Sequence, residues 1–269
     1  MRAFLNGANI HFISSGPSSG LPVIFIHGFP FSHVMWHEQV AAVSGAGFRT
    51  VAYDIRGHGL SDVGDGQYTI EGHVDDLIAL MDHLEIPAAV IVGLSMGGYI
   101  ALRALERAPK RFVAAALCDT RSESDPNEGK TKRANSMAAV KRTGSAVFAD
   151  DFIKAVFAEE TFSKDPAAIA MIRDIIAHTP PLSIAGTLLA LAARTDTTAS
   201  LSALGIPTLI LVGEHDATTP PAASRSMHDK IKGSELFVIP GAAHMSNLEN
   251  PAVFNEKLLA FLRRIPPGR

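Results

Sequence analysis

Residues 88–105 read AAVIVGLSMGGYIALRAL and carry the clearest structural pattern in the chain. The apolar run at 88–92 is typical of a buried strand, and the segment 98–105 is typical of a helix that ends before Pro109. Between them stands Gly93-Leu94-Ser95-Met96-Gly97, a G-x-S-x-G sequence in the strand-to-helix context that a nucleophile elbow requires. We therefore predict that Ser95 occupies a sharp corner, where its hydroxyl projects clear of the backbone as a candidate nucleophile.

Strand and helix patterns alternate on either side of this stretch. Asn6-Gly7 predicts an opening hairpin, and further strands are predicted at 23–26, 48–53, 88–92, 112–117, 208–212 and 236–239. Helices are predicted near 34–43, from about 70 to 84, and at 98–105, 222–231 and 253–262. Alternation of this kind builds a mainly parallel sheet, here of eight strands, with helices on both faces.

One long segment interrupts the alternation. Residues 120–201 contain only helical patterns, punctuated by prolines such as Pro126 and Pro166. About 80 residues without a strand, between two strands of one sheet, indicate an inserted helical cap rather than a loop. We therefore divide the chain into a first core part at 1–119, a cap at 120–201 and a second core part at 202–269. Insertions after strand carboxyl ends lie where open α/β sheets bind ligands.

Composition limits the classes of function. The 269 residues are 47% hydrophobic and 19% charged with a formal net charge of −3, so we expect neither nucleic acid nor a membrane as a partner. The single cysteine, Cys118, excludes an internal disulfide and fits a reducing compartment. The first residues lack the apolar core of a signal peptide, and no stretch reaches the roughly 18 apolar residues of a transmembrane helix. We therefore expect a cytoplasmic protein.

A serine hydroxyl becomes a good nucleophile only when a base takes its proton and a carboxylate orients that base. For an elbow serine the expected order along the chain is serine, acid and then histidine. Among eleven histidines, only His244 follows the last predicted strand of the sheet, and Asp216 follows the strand before it. Three strand carboxyl ends therefore bring Ser95, Asp216 and His244 to one edge of the sheet as predicted nucleophile, acid and base.

Other residues compete for these roles. Asp119 ends the strand at 112–117 and stays open as an alternative acid. His27 is interpreted as a structural hydrogen-bonding residue, and Cys118 as a small buried residue. His33 and His37 are four residues apart but have no third ligand nearby in the sequence, so we predict no metal site.

The oxyanion of an acyl-transfer reaction needs two N–H donors. We predict that Met96, directly after the nucleophile, supplies one and that Phe29, in the loop His27-Gly28-Phe29-Pro30, supplies the other. Apolar side chains near this loop and in the cap are expected to line a substrate pocket. They are Phe31, Trp36, Phe148, Phe152 and Phe157.

Taken together, these motifs resemble the α/β-hydrolase superfamily over nearly the whole chain. They are His27-Gly28-Phe29-Pro30, Asp54-x-Arg56-Gly57-His58-Gly59-x-Ser61, Gly93-Leu94-Ser95-Met96-Gly97-Gly98, Gly213-Glu214-His215-Asp216 and Gly241-Ala242-Ala243-His244. The chain is most similar to small bacterial carboxylesterases and 3-oxoadipate enol-lactonase-like proteins, which in turn resemble the cofactor-free haloperoxidase and perhydrolase group. Ser95 distinguishes it from haloalkane dehalogenases and epoxide hydrolases, which carry aspartate at that position.

The resemblance implies two-step acyl transfer to water, with no metal or organic cofactor and a small-molecule ester or lactone as substrate. A carboxylesterase for short-chain or aryl esters is the first hypothesis. Enol-lactonase, perhydrolase, haloperoxidase-like or C–C bond hydrolase activity, and a ligand-binding receptor on the same scaffold, stay open. An enol-lactonase needs a cation for its substrate carboxylate, and the cap offers Arg121, Lys130, Lys132, Arg133, Lys141, Arg142 and Arg194.

Overall fold

The computed structural model describes residues 1–266 and contains the predicted eight-stranded sheet. The strands are β1 (Arg2–Leu5), β2 (Ala8–Ser15), β3 (Pro22–Ile26), β4 (Arg49–Tyr53), β5 (Ala89–Leu94), β6 (Phe112–Cys118), β7 (Thr208–Gly213) and β8 (Glu235–Ile239). Across the sheet they lie in the order β1-β2-β4-β3-β5-β6-β7-β8. The pairs β1–β2 and β2–β4 are antiparallel and all other neighbours are parallel. The predicted fold class is therefore confirmed.

The opening hairpin forms at the predicted turn. Asn6 and Gly7 both have positive φ angles, 47° and 81°, as a two-residue turn between antiparallel strands requires. Deeper in the sheet, β5 and β7 are buried along their whole length. This burial explains their continuous apolar sequences, because a central parallel strand is covered on both faces.

Eleven α-helices accompany the sheet in residues 1–266. They are α1 (His37–Gly45), α2 (Ile70–His83), α3 (Met96–Arg107), α4 (Asn127–Thr143), α5 (Ser145–Val156), α6 (Thr161–Lys164), α7 (Pro166–His178), α8 (Pro181–Ala192), α9 (Pro221–Lys230), α10 (Ser246–Glu249) and α11 (Pro251–Leu262). From β3 the chain crosses to β4 on one side and then to β5 on the other. Right-handed crossovers therefore carry α1 and α2 to opposite faces. Helix α1 packs against α11, and α2 packs against α3.

Helices α4 to α8 fill the connection between β6 and β7, and we retain 120–201 as the proposed limits of the cap. Helix α4 packs against α8, and α5 packs against α7. Within residues 1–266 no single helix is long and apolar enough to cross a membrane, although α7 and α8 together, bent by 96°, reach that length and composition. Both bury apolar side chains inside the protein, including Ile172, Ile176, Ile184 and Leu188.

Candidate active site

The corner predicted at Ser95 is present between β5 and α3. Ser95 has φ 55° and ψ −113°, a conformation that costs a non-glycine residue about 1–3 kcal/mol. The glycines on either side permit the bend. A Cβ on Gly93 would come 2.3 Å from the carbonyl oxygen of Gly97, and a Cβ on Gly97 would come 2.1 Å from that of Ile26. The G-x-S-x-G spacing is therefore a steric requirement of this corner.

Neighbouring groups hold the strained residue in place. The Ser95 N–H donates to the carbonyl of Cys118 at 2.9 Å, and the Thr120 hydroxyl donates to the Ser95 carbonyl at 2.8 Å. Thr120 also lies against the start of α3, where a Cβ on Gly98 would come 2.3 Å from its Oγ1. Sequence analysis missed Thr120, and its place two residues after the end of β6 is the signal that could have identified it.

The structure joins the predicted base and acid. The Nδ1 of His244 lies 2.8 Å from Oδ2 of Asp216, and both side chains are buried. The other oxygen of Asp216 accepts from the N–H groups of Thr218 and Thr219 at 2.8 and 2.9 Å, and the Thr219 hydroxyl donates to Oδ2 at 2.8 Å. His244 therefore places its proton on Nδ1, which leaves Nε2 as an acceptor.

The environment of Asp216 keeps it charged. Burial alone raises the pKa of its carboxyl group, but the charge and hydrogen bond of His244, together with the donors of Thr219, outweigh burial and lower the pKa below its ordinary value. The carboxylate is therefore negative at neutral pH. An imidazole that takes up a proton during a reaction is stabilised by such a partner.

Asp119, the alternative acid, contacts different groups. Its Oδ1 accepts from the N–H of Gly213 at 2.8 Å, and its Oδ2 accepts from the hydroxyl of Ser246. Burial and the nearby charge of Asp216 raise the pKa of Asp119 well above its usual value. The structure thus pairs His244 with Asp216, whereas Asp119 bonds to the end of β7 and to Ser246, which follows His244.

Ser95 and His244 lie at the same sheet edge without a direct hydrogen bond between their side chains in residues 1–266. A short chain of contacts connects them. The backbone N–H of Ser95 donates to the carbonyl of Cys118, which directly precedes Asp119. The side chain of Asp119 accepts from the hydroxyl of Ser246, two residues after His244. Catalytic hydrogen bonds are often loose without substrate and tighten in the complex, so this arrangement is compatible with transfer of a proton from Ser95 to His244.

Two backbone N–H groups beside Ser95 are available for an oxyanion. Met96 is the first residue of α3, where N–H groups have no intrahelical partner, and within residues 1–266 neither its N–H nor that of Phe29 donates to a protein acceptor. The elbow lies directly on the Phe29 loop, because a Cβ on Gly97 would approach the carbonyl oxygens of Ile26 and His27 to 2.1 and 3.0 Å. Both N–H groups predicted as oxyanion donors are therefore unpaired in the described residues, as such a role requires.

His27 is fully engaged as a structural residue. Its Nδ1 lies 2.8 Å from the carbonyl of Gly28, and its Nε2 accepts from the N–H of Ile55 at 2.9 Å. Because Nε2 accepts, Nδ1 carries the proton and the ring is neutral. Burial lowers the pKa of His27 to about 4. Both ring nitrogens therefore hold the loop His27-Gly28-Phe29-Pro30, named here the oxyanion loop for its predicted role, and neither is free to act as a second base.

A buried carboxylate supports the next part of the same loop. Asp54 accepts hydrogen bonds from the N–H groups of His33 and Leu60 at 2.7 and 2.9 Å and from the rings of His33 and His11 at 2.8 and 3.1 Å. Burial raises the pKa of Asp54, but these hydrogen bonds and the nearby histidines lower it to about 2. These three side chains are close enough to hold a metal ion. Since both carboxylate oxygens already accept N–H donors, we interpret the group as a hydrogen-bonded network. The partners of His33 in this network are His11 and Asp54, and His37 is not part of it.

An aromatic cluster joins the oxyanion loop to the cap. Phe148 and Phe152 on α5 stack with ring centroids 5.3 Å apart. Phe29 meets them edge-on at 6.1 and 5.8 Å, and Phe31 meets Phe152 at 6.1 Å. Phe29 and Phe31 of the loop after β3 and Phe148 and Phe152 of α5 thus form one cluster, which includes the residue that carries one predicted oxyanion donor.

Two predicted pocket residues lie elsewhere. Trp36 is fully buried between Phe25 and Phe254, at 5.3 and 6.2 Å between ring centroids, so its assignment to the pocket is wrong. It packs inward between β3 and α11 because the turn of helix before α1 directs its side chain into the core. Phe157 lines a separate cavity of about 540 Å³, between the segment after α5 and the loops that carry Asp216 and His244.

Most cap cations are already paired or exposed. Asp125 binds the buried Arg194 at 2.9 Å and also binds Arg133, while Lys132 pairs with Glu128 on the surface. Arg121 differs, because its buried Nε has no hydrogen-bond partner. The remaining candidates are exposed; they are Lys130, Lys141 and Arg142.

Comparisons with known proteins agree with the fold and the motifs. A family model for the alpha/beta hydrolase fold matches residues 22–251. The chain is 30% identical over 257 residues to 3-oxoadipate enol-lactonase 1 of Acinetobacter baylyi, covering 93% of this chain and 92% of that protein. It is 28% identical over 272 residues to a non-heme chloroperoxidase of Streptomyces lividans, covering 96% and 97% respectively. A solved structure of a thermophilic esterase from Thermogutta terrifontis has a TM-score of 0.93 and 35% identity, with 98% of each chain covered. The chain therefore belongs to the α/β-hydrolase fold family.

Proposed function

We propose that the protein is a serine carboxylesterase that hydrolyses short-chain or aryl esters through an acyl-enzyme on Ser95. The observation that carries this proposal is the strained Ser95 corner, flanked by two free N–H groups and sharing its sheet edge with a buried Asp216–His244 pair. Such an arrangement supplies a nucleophile, a base, an orienting acid and oxyanion donors. The protein is thereby equipped for acyl transfer without a cofactor.

In the proposed reaction, Nε2 of His244 takes the proton of the Ser95 hydroxyl as Oγ attacks the ester carbonyl carbon. The resulting oxyanion accepts hydrogen bonds from the N–H groups of Met96 and Phe29, each worth about 3–4 kcal/mol in the transition state. His244 then gives its proton to the leaving alcohol. Water attacks the acyl-enzyme by the same route and releases the acid and free Ser95.

The proposed substrate class follows from the aromatic cluster. Phe148 and Phe152 close over Phe29 from the cap, so the acyl group meets an apolar wall close to the oxyanion donors. A closed apolar pocket favours short acyl chains and aryl groups over long chains. The single cysteine is a buried free thiol, which fits a reducing compartment, and we propose a cytoplasmic location.

Lactone hydrolysis is the second candidate. It is favoured by the 30% identity to an enol-lactonase. Perhydrolase, haloperoxidase-like and C–C bond hydrolase chemistry would use the same serine and histidine. The perhydrolase and haloperoxidase-like activities are alternative outcomes of the substrate comparison below.

The proposal is tested by kcat/KM for p-nitrophenyl esters from acetate to decanoate, beside a carboxylate-bearing enol-lactone and a peroxide-dependent halogenation assay. We expect a maximum at short acyl chains. A steady rise with chain length would contradict the closed pocket. A preference of about a hundredfold or more for the lactone would favour the lactonase instead.

A further inference from the structure

Glu249, at the end of α10, contacts both the cap and the loop of the proposed base. Its Oε2 accepts from the N–H of Ala158 at 2.8 Å and from the hydroxyl of Thr161 at 2.6 Å. Its Oε1 accepts from the N–H of Ala243 at 2.8 Å. Ala243 directly precedes His244, so one carboxylate bridges the cap segment after α5 and the catalytic histidine loop.

Two further hydrogen bonds join the same pair of regions. The N–H of Met245, directly after His244, donates to the carbonyl of Val156 at 3.2 Å. The hydroxyl of Thr218, two residues after Asp216, donates to the carbonyl of Ala155 at 3.4 Å. The carboxyl end of α5 is therefore hydrogen-bonded to the loops of both the proposed base and the proposed acid. These bonds lie along the wall of the cavity of about 540 Å³ that Phe157 lines.

The Ala243 segment has little freedom on its other side. A Cβ on Gly213, at the end of β7, would come 1.9 Å from the Ala243 carbonyl oxygen, and the N–H of His215 donates to the carbonyl of Ala242 at 2.8 Å. The sheet edge thus holds one side of the histidine loop, and Glu249 holds the other. Hydrogen bonds to a charged carboxylate are about twice as strong as neutral ones, so Glu249 is the strongest single link on the cap side.

We propose that Glu249 is a positioning residue that fixes the His244 loop against the cap, so that seating of the cap and alignment of His244 occur together. The inference rests on the proposed function in so far as His244 is the base for Ser95. It adds a residue to Ser95, Asp216, His244 and the two oxyanion donors, and it makes the cap a part of the catalytic alignment as well as a wall of the pocket.

The test compares Glu249→Ala and Glu249→Gln with the matched control Glu256→Gln, an exposed glutamate on α11 whose side chain contacts Lys257. With p-nitrophenyl acetate, a small ester, we expect Glu249→Ala to lower kcat about tenfold or more, because it removes three charge-assisted hydrogen bonds. KM should change by less than about threefold. Glu249→Gln retains part of this acceptor capacity and should lose less, while Glu256→Gln should match the wild type.

A merely structural anchor of the cap would give a different result. In that case KM would rise for long esters while kcat for the acetate stayed at the wild-type value, and the inference would be overturned. Hydrogen exchange separates this inference from the proposed function, because it needs no turnover. Glu249→Ala should increase amide exchange in peptides covering both 155–161 and 241–246; exchange confined to the cap peptide would also contradict the inference, whether or not the wild type hydrolyses esters.

Discussion

The sheet core and the cap differ in the burial of their helices and in what they contribute to the proposed site. Nine of the 12 residues of α3, directly after Ser95, are buried. Burial in the cap is uneven, because α8 buries eight of its 12 residues whereas α4 buries only Val140 among its 17. The core supplies the proposed nucleophile, acid and base from strand ends, while the cap meets that edge through aromatic rings and a few hydrogen bonds. We infer that the sheet sets the chemistry and that the cap selects the substrate, with Glu249 as the point where the two depend on each other.

A large effect is expected in the core, at the acid. Asp216→Asn should lower kcat by about 10⁴-fold at neutral pH, because the amide no longer holds His244 with its proton on Nδ1. Asp119→Asn should cause a much smaller loss, since Asp119 bonds to Gly213 and Ser246 and, within residues 1–266, makes no hydrogen bond with His244. Steady-state kinetics of the two variants, with circular dichroism to confirm folding, make the comparison. A severe loss of kcat in Asp119→Asn together with a mild loss in Asp216→Asn would identify Asp119, directly after β6, as the acid.

A smaller and different effect is expected in the cap. Phe152→Ala removes a ring that contacts both Phe29 and Phe31, so it should enlarge the acyl site and raise kcat/KM for decanoate relative to acetate by about tenfold. Phe162→Ala is the matched control, because Phe162 lies on α6 with 38% of its surface exposed. An equal loss of kcat on every ester would mean that Phe152 serves the oxyanion loop rather than the pocket.

The same division explains what could be predicted from the sequence. The strands of the core are short apolar runs between turn residues, and Ser95 lies in a local motif whose glycines are required sterically. Local patterns of this kind can be recognised without a structure. Ser95, Asp216 and His244 each follow a predicted strand, and this position predicts that all three lie at one sheet edge.

The contacts that join core and cap could not be predicted. Glu249 reaches Ala158 and Thr161, about 90 residues earlier, and nothing in its neighbouring sequence indicates those partners. Trp36 was misassigned because its proximity to Phe29 along the chain does not reveal the direction of its side chain. Likewise, the network of His11 and His33 around Asp54 depends on β2 lying beside β4, which is a matter of topology rather than local pattern.

The central claim is that Ser95 is the covalent nucleophile, and labelling with a fluorophosphonate tests it most directly. Mass spectrometry of the labelled wild type should show one adduct per chain, on the peptide that contains Ser95, together with loss of ester hydrolysis. Ser136→Ala, on α4 of the cap, should label as the wild type does, and Ser95→Ala should neither label nor hydrolyse esters. An adduct on another residue, or full activity in Ser95→Ala, would contradict the account.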